Sequence, residues 1–181
     1  AIKSVESEMH GIEGKIREFD ETCTYMLKGI DDVQTLLDDH IVKTQAIRGS
    51  PFCKPFESEC KLFEQRLNFL QESMDEALKT QRTWLYLEPI FASDDIKGQM
   101  PQEAEMFAWC DNLWREVMAK IVESPECMEF IDFENVLFNF QESNRKLDRI
   151  QKQLNDYLEV KRLVFPRFFF LSNDELLSII S

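Results

Sequence analysis

Few residues in this sequence have types and spacing that could do chemistry, and none forms a recognisable catalytic or metal site. The two histidines, His10 and His40, would lie roughly 45 Å apart on one continuous helix, so they could not share a metal ion or a proton. The carboxylate pairs Asp31–Asp32, Asp38–Asp39 and Asp94–Asp95 lack the spacing of a calcium loop. We expect these groups to be solvated surface, with the histidines exposed or at a helix end.

Motifs for nucleotide or acyl chemistry are missing as well. The sequence contains no G-x-x-x-x-G-K-[ST], no G-x-G-x-x-G and no G-x-S-x-G. It therefore lacks the glycine-rich loops that bind nucleotide phosphates and the sharp turn that carries the nucleophile of α/β-hydrolases. We therefore predict no enzymatic activity and no cofactor for this segment. The cysteines are odd in number, scattered and without a C-x-x-C pair, which predicts buried or half-buried reduced thiols; they are Cys23, Cys53, Cys60, Cys110 and Cys127.

Composition narrows the class of protein further. The 181 residues carry a formal charge of −13, which disfavours nucleic acid and anionic membranes as partners. A hydrophobic content of 44% argues against disorder, and no long uncharged apolar run predicts a membrane span. With five glycines against six prolines, the sequence favours long helices with few connections. The N-terminus has no apolar signal core, and the missing initial Met suggests an excised piece of a longer chain.

Apolar residues recur at alternating steps of three and four along the first half, which predicts two long helices packed as an antiparallel pair. The predicted first seam is Met9, Ile12, Ile16, Phe19, Cys23, Met26, Ile30, Val33 and Leu37. The predicted second seam is Cys60, Phe63, Leu67, Leu70, Met74, Ala77, Gln81 and Trp84. Between them, Gly49, Pro51 and Pro55 predict a loop, and Pro89 should interrupt or kink the second helix.

The second half predicts further helices. Residues 92–100 are polar and predict a loop, after which Pro101 suits the first position of a helix that ends at Ser124 and Pro125. Its predicted inner face is Phe107, Cys110, Leu113, Trp114, Val117, Met118 and Ile121. One or two helices should follow over 130–164.

The C-terminal region combines an aromatic run with a helix start. Phe165, Phe168, Phe169 and Phe170 show no helical period, which favours an extended buried crossing. Ser172 to Glu175 matches a capping box that opens a short closing helix. The predicted fold is therefore all-α, an elongated bundle of long antiparallel helices with a short aromatic extended crossing near the C-terminus.

Three stretches resemble a known family. WLYLEPIFASDDIKGQMPQE (84–103) and LNDYLEVKRLVFPRFFFLSNDELLSIIS (154–181) closely resemble the linker region of dynein heavy chains, and DDHIVKTQAIRGSPFCKPFE (38–57) is most similar to axonemal members. The resemblance implies a helical lever lying across a ring of six ATPase modules, the AAA+ ring, and coupling the ring's ATP cycle to tail movement. It implies residues 1–91 as a long helical hairpin of this arm and 92–181 as a second bundle leading toward the first module.

The resemblance also implies a setting and partners. ATP and Mg would bind elsewhere in the parent chain, and microtubules would be contacted only by its other domains. The tail and its associated chains would be further partners, in the cytoplasm, cytoskeleton and ciliary or flagellar axoneme.

Three sets of residues are candidates for roles in such a lever. The candidate docking residues are Asp94, Asp95, Glu103 and Arg167. The candidate force-transmitting joint is Phe165, Phe168, Phe169 and Phe170, and the candidate hinge positions are Gly49, Pro51, Pro55, Gly98 and Pro101.

Two alternatives remain open at the level of the sequence. A passive spectrin-like scaffold or interaction module would account equally well for the helical seams. It does not account for the aromatic run or for the polar stretch before Pro101. An enzyme with a dispersed site is the second alternative, and ATP hydrolysis by the segment alone would favour it.

Overall fold

The computed structural model describes residues 15–19 and 24–180, and in this part of the chain helices dominate. The predicted all-α class is confirmed. The elements are β1 (Lys15–Phe19), β2 (Thr24–Lys28), α1 (Ile30–Arg48), a first 3-10 helix (Pro51–Phe56), α2 (Glu57–Ala92), α3 (Asp94–Gln99), α4 (Pro101–Glu123), α5 (Cys127–Phe130), α6 (Val136–Val164), a second 3-10 helix (Pro166–Phe170) and α7 (Asn173–Ile180).

Spatial contacts group the chain into two compact units, and each unit is built from two separate stretches of sequence. The first unit contains residues 1–78 and 115–140, and the second contains residues 79–114 and 141–181. The unit boundaries therefore fall inside α2 and α4 and within α6. The subdivision of the predicted lever into residues 1–91 and 92–181 stays a prediction.

The prediction of one helix from Met9 to Leu37 is confirmed from Ile30 to Leu37 and is wrong at Lys15–Phe19 and Thr24–Lys28, which are strands. Strands β1 and β2 pair antiparallel, with Lys15 opposite Lys28, and α1 begins only at Ile30. Gly29 has φ 66° and ψ 28°, a left-handed conformation that glycine adopts without steric cost and that separates strand from helix. The seam positions Met9, Ile12 and Cys23 lie outside the described residues, and so does His10.

Helices α1 and α2 of the first unit are antiparallel, as predicted. Gln34 donates from Nε2 to Asp75 Oδ1 at 2.9 Å, and Gln71 donates to Asp38 Oδ1 at 2.6 Å. As the position on α1 advances from 34 to 38, its partner on α2 recedes from 75 to 71, which only opposite chain directions allow.

The predicted seam of α2 is confirmed at every position. All eight seam residues, Cys60 to Trp84, are buried, because steps of three and four keep them on one face of a helix.

Pro89 lies inside α2, which continues to Ala92, so the proline does not interrupt it. The loop predicted over 92–100 is wrong, since α3 occupies Asp94–Gln99 and buries its one large apolar side chain, Ile96.

The second unit contains the antiparallel contacts between α2 and α4. Trp84 donates from Nε1 to Asp111 Oδ1 at 2.9 Å, and the rings of Phe91 and Phe107 stack with centroids 5.2 Å apart. Pro101 is the first residue of α4, as predicted, and α4 ends at Glu123. Its predicted inner face is buried except for Leu113, which is half-buried.

Helix α1 extends further than the sequence suggested, and this changes the setting of its polar residues. Asp38 and Asp39 lie within the helix rather than at its end. Asp39 pairs with Lys43 of the same helix at 2.7 Å, and the hydrogen bond from Lys43 lowers the pKa of this carboxyl. His40 is buried at 2% exposure, so the expected exposed or helix-end histidine is wrong.

Candidate functional site

The aromatic segment, defined here as residues 165–170, is helical rather than extended. Its predicted extended conformation is wrong, because Pro166 begins a 3-10 helix that runs to Phe170. Proline has a fixed φ near −65° and no N–H to satisfy, so it suits the first position of a helical turn. The Phe168 N–H donates to Phe165 O at 2.9 Å, and the Leu171 N–H donates to Phe168 O at 3.1 Å.

The predicted burial of this segment is also wrong. None of the residues in the second 3-10 helix is buried, and Phe170 is 91% exposed. Phe165 and Phe169 are more than half exposed, while Phe168 is half-buried beside Phe165 with ring centroids 5.4 Å apart. A cluster of exposed phenylalanines on an ordered turn is typical of a contact surface for another protein region.

Arg162 holds the backbone beneath the exposed rings. Its side chain is nearly buried, and Nη2 donates to Leu171 O at 3.0 Å and to Asn173 Oδ1 at 2.8 Å. Nε donates to Phe168 O at 3.4 Å, and Nη1 pairs with Glu159 at 3.0 Å. The fork of guanidinium N–H donors therefore ties the end of α6 to the turn and to the start of α7.

Arg162 was not among the site residues predicted from the sequence. A basic side chain in the last turn of a helix commonly binds nearby carbonyls, and that rule could have drawn attention to Lys161 and Arg162. It could not have chosen Leu171 as the partner, since that contact depends on how the chain turns after Pro166.

The predicted capping box at the start of α7 is confirmed. The Ser172 N–H donates to Glu175 Oε2 at 2.8 Å, and the Glu175 N–H donates to Ser172 Oγ at 3.3 Å. The pKa of Glu175 is lowered mainly by the hydrogen bond from the Ser172 N–H and secondly by the hydrogen bond from the Ser172 hydroxyl. These reciprocal bonds satisfy donors that a helix start otherwise leaves unpaired.

Helix α7 is fixed to the rest of the second unit by side chains on both sides of its first turn. Asn173 donates from Nδ2 to Asn155 Oδ1 on α6 at 3.1 Å, and the Tyr86 hydroxyl on α2 contacts Asp174 Oδ1 at 3.4 Å. Burial, together with the nearby Asp174 charge, raises the pKa of Tyr86. Leu176 is fully buried, so α7 is packed as well as capped.

The acidic docking candidates lie on α3 and α4. Asp94 and Asp95 are exposed in the first turn of α3, and Glu103 is half-buried in the first turn of α4. Asp94 pairs with Lys97 at 3.3 Å, an exposed contact of small energetic value. Within residues 24–180, no hydrogen bond or ion pair joins these carboxylates to the aromatic segment or to the exposed Arg167.

The first set of hinge candidates lies at the turn between α1 and α2. Gly49 closes α1, and the 3-10 helix that follows begins at Pro51 and contains Pro55. Ser50 caps that turn by accepting from the Phe52 N–H at 3.4 Å. An ion pair between Arg48 and the largely buried Glu64 spans the same turn.

The second set of hinge candidates lies at α3 and α4. Gly98 is inside α3, and a Cβ added there would meet no other atom within 4 Å. Pro101 occupies the first position of α4. The Met100 N–H donates to Ile96 O at 2.9 Å, and Tyr157 of α6 donates to Gln99. Whether either set of positions bends in a larger protein stays a prediction.

Between residues 24 and 180, no group of three His, Cys, Asp or Glu side chains could hold a metal ion. A cavity of about 40 Å³ in the first unit is lined mainly by apolar side chains, including Leu27, Leu70 and Phe130. No helix in the described part of the chain is long and apolar enough to cross a membrane.

The described residues define a class of protein at the level of the fold, a helical segment with an exposed aromatic turn. Comparison with known families specifies that class, because the family described as "Dynein heavy chain, N-terminal region 2" matches residues 1–181. The chain belongs to this family of dynein heavy chain segments.

Similar proteins include several axonemal dynein heavy chains. The chain is 51% identical over 164 residues to dynein axonemal heavy chain 3 of Homo sapiens, a match that covers 91% of this chain and 4% of that protein. It is 51% identical over 161 residues to dynein axonemal heavy chain 12 of Rattus norvegicus, covering 89% and 5%. With dynein axonemal heavy chain 1 of Mus musculus the identity is 43% over 181 residues, covering 100% and 4%. The chain thus spans only about one twentieth of these relatives.

Proposed function

We propose that this chain is a mechanical linker segment of an axonemal dynein heavy chain, and that it performs no reaction itself. It would couple ATP-driven changes of the AAA+ ring in the parent protein to movement of the tail along microtubules. ATP and Mg would bind in that ring, microtubules would be contacted by other domains, and the setting would be the ciliary or flagellar axoneme. Membership of the dynein heavy chain family supports this proposal.

The observation that carries the proposal is that the aromatic segment has exposed side chains on a backbone held in place by hydrogen bonds. Phe169 and Phe170 are 54% and 91% exposed, yet Arg162 and the α7 capping box fix the backbone around them. A force-transmitting joint needs this combination, because a loose segment would absorb displacement and a fully buried one could not contact a neighbour.

Long uninterrupted helices supply the stiffness that a lever requires. Helix α2 has 36 residues and α6 has 29, which corresponds to about 54 Å and 43 Å at 1.5 Å per residue. Their buried seams resist bending because any bend would open packed contacts. A lever also needs contacts that differ between nucleotide states, since a partner that binds both postures equally shifts nothing.

The proposal is tested by removing the exposed rings in the full-length heavy chain. The double variant Phe169→Ala, Phe170→Ala should lower microtubule gliding velocity while ATP hydrolysis continues, because the joint no longer transmits displacement. The matched control is Phe52→Ala, which removes an equally exposed phenylalanine, 89%, from the other 3-10 helix. Unchanged gliding velocity of the double variant would contradict the proposed joint. An equal loss of gliding velocity in the double variant and in Phe52→Ala would show that the effect is not specific to the aromatic segment.

A passive scaffold makes a different prediction for the same motor. Fluorophores placed on α7 and on the ring should report a distance that changes between ATP-bound and nucleotide-free states if the segment is a lever. A constant distance in all states would favour the spectrin-like scaffold instead. Replacing Asp94, Asp95 and Glu103 by their amides then tests whether these carboxylates contribute to docking in one of the two states.

A further inference from the structure

Two cysteine side chains meet inside the first unit, and the proposed linker function makes no use of them. Cys53 lies in the first 3-10 helix and Cys60 in the first turns of α2, and their sulfur atoms are 2.7 Å apart. A disulfide bond is about 2.05 Å long. The two sulfurs therefore need to approach by well under an ångström to become bonded.

The surroundings protect this pair while the turn is closed. Cys53 is 6% exposed and Cys60 is fully buried. Burial, reinforced by the hydrogen bond to Cys53, raises the pKa of Cys60 to about 11, so the reactive thiolate is scarce at neutral pH.

The turn that carries Cys53 lies at the surface, and this gives the pair a route to oxidants. Cys53 is the one buried residue of the first 3-10 helix, whose Phe52 and Phe56 are 89% and 54% exposed. A short turn with a single buried side chain opens at low energetic cost compared with unfolding of a whole unit. Opening uncovers Cys53 first, while Cys60 stays within α2 nearby.

We propose that Cys53 and Cys60 form a redox-sensitive dithiol that a hydroperoxide oxidises to an intrachain disulfide and a thiol reductant reopens. The Cys53 thiolate attacks a peroxide oxygen, which breaks the O–O bond and gives a sulfenic acid. The Cys60 thiolate then attacks that sulfur, forming the S–S bond and expelling the oxygen as water. With hydrogen peroxide the two thiols lose two electrons and two protons, and two water molecules are produced.

The disulfide would tie the turn between α1 and α2 to the start of α2. Cross-linking removes conformations from the opened and unfolded states, so the oxidised form should be the more stable one. This inference does not depend on a lever function, since it concerns only the two sulfurs and the turn between them.

Other cysteines of the chain provide internal controls. Cys127 is buried and its burial also raises its pKa to about 11. Cys110 is buried in the second unit, where its S–H donates to Ser143 O at 3.7 Å. Cys127 therefore serves as the reference for oxidation of a buried thiol whose pKa is raised as much as that of Cys60.

The test exposes the folded protein to hydrogen peroxide, quenches with acid, alkylates the remaining thiols under denaturing conditions and digests with trypsin. Trypsin does not cleave between Lys54 and Pro55, so both cysteines remain in one peptide, 49–61. We expect this peptide to become lighter by two hydrogen atoms and to lose alkylation at least about tenfold faster than the Cys127 peptide, because the second thiol acts at high effective concentration. Dithiothreitol should restore both thiols.

Equal oxidation of the Cys127 peptide and the 49–61 peptide would overturn the proposal, and so would a 49–61 peptide that gains oxygen without losing hydrogen. Thermal unfolding gives a second measurement, in which oxidation should raise the Tm of the native protein by about 5 °C. The shift should be absent from Cys53→Ala and retained in Cys127→Ala. A shift of the same size in Cys53→Ala would contradict the pairing even if oxidation itself were observed.

Discussion

The two 3-10 helices share a first proline and an exposed phenylalanine but are held in place by different interactions. Each follows a long helix, each begins with proline, and each exposes a phenylalanine, Phe52 at 89% and Phe170 at 91%. The first contains a buried side chain, Cys53, and leads directly into α2. The second contains no buried residue.

The second turn depends instead on polar contacts to its main chain. Arg162 donates to Phe168 O and Leu171 O from one side, and the Ser172 capping box closes the other. A turn anchored by burial is lost only when packing is disturbed, whereas a turn anchored through one guanidinium can be released by one substitution. The comparison therefore predicts different sensitivities for the two turns.

The largest effect is expected from Arg162→Met, which keeps much of the side-chain volume and removes the donors. The carbonyls of Phe168 and Leu171 would lose a charged partner, so the free energy that holds the second turn and α7 in place should fall by about 3 kcal/mol. Hydrogen exchange of the amides in 166–180, followed by mass spectrometry, measures this loss directly.

The matched control for this change is Arg167→Ala on the same turn. Arg167 is exposed, so its removal should alter stability by less than about 0.5 kcal/mol. If both variants exchange at the same rate as the native protein, Arg162 does not hold the turn and the proposed difference between the two turns fails.

The first turn should respond to its buried residue instead. Under reducing conditions, Cys53→Ser places a hydroxyl in an apolar site and should lower the free energy of unfolding by about 1 to 2 kcal/mol. Phe52→Ser, one residue away and exposed, should change it by no more than about 0.5 kcal/mol. Urea denaturation measures the free energy of unfolding of both variants. Equal decreases in this free energy would show that the turn is not anchored by burial.

The sequence predicted those parts of the fold that a repeating pattern or a local rule specifies. The seam from Cys60 to Trp84 could be found because its steps of three and four persist over several turns of one helix. Pro101 at the start of α4 and the reciprocal pairing of Ser172 with Glu175 follow from interactions within four residues. Such local rules do not depend on what the rest of the chain does.

The failures occurred where a pattern had more than one structural solution. The apolar spacing before Ile30 fits a helix, but Gly29 in the left-handed region separates β2 from α1, and spacing alone does not reveal that conformation. Helix α3 has only one large buried apolar residue, Ile96, too few to produce a period. For the candidate site, the phenylalanines were named from the sequence but were wrongly predicted to be buried. Arg162 was missed because its partners depend on the chain reversal after α6.

A smaller effect is expected from Ser172→Ala at the start of α7. The variant loses the hydroxyl that accepts from the Glu175 N–H, which should cost about 1 kcal/mol of helix stability. Hydrogen exchange confined to 173–180 reports this loss without interference from the rest of the chain. Faster exchange in the first turn between α1 and α2 would show that the two turns are coupled, contrary to the comparison above.

The pH dependence of α7 provides an independent measure of the same cap. The pKa of Glu175 is lowered in the folded protein, so its stabilising contribution is complete above the ordinary glutamate pKa and is lost as pH falls through the lowered folded value. Protection of α7 should therefore decline in acid. Glu175→Gln should weaken that decline, and an unchanged acid profile would mean that the charge on Glu175 does not support the cap.

The smallest expected effect tests whether the first turn bends. Gly49 has φ −69°, and a Cβ there would lie 3.6 Å from Gln45 O and 3.7 Å from Ala46 O, ordinary contact distances. Gly49→Ala should thus raise the free energy of unfolding by about 0.5 kcal/mol through loss of freedom in the unfolded chain. The control is Gly98→Ala, which makes the same glycine-to-alanine change at a second position with open space around the added Cβ.

The same two variants separate stability from hinge motion when placed in the full-length motor. If Gly49 takes up a left-handed conformation in a second posture of the linker, alanine opposes that posture, because a Cβ disfavours positive φ. Gly49→Ala would then stabilise the segment and still slow microtubule gliding. Equal gliding by Gly49→Ala, Gly98→Ala and the native motor would exclude both glycines as bending points that need positive φ.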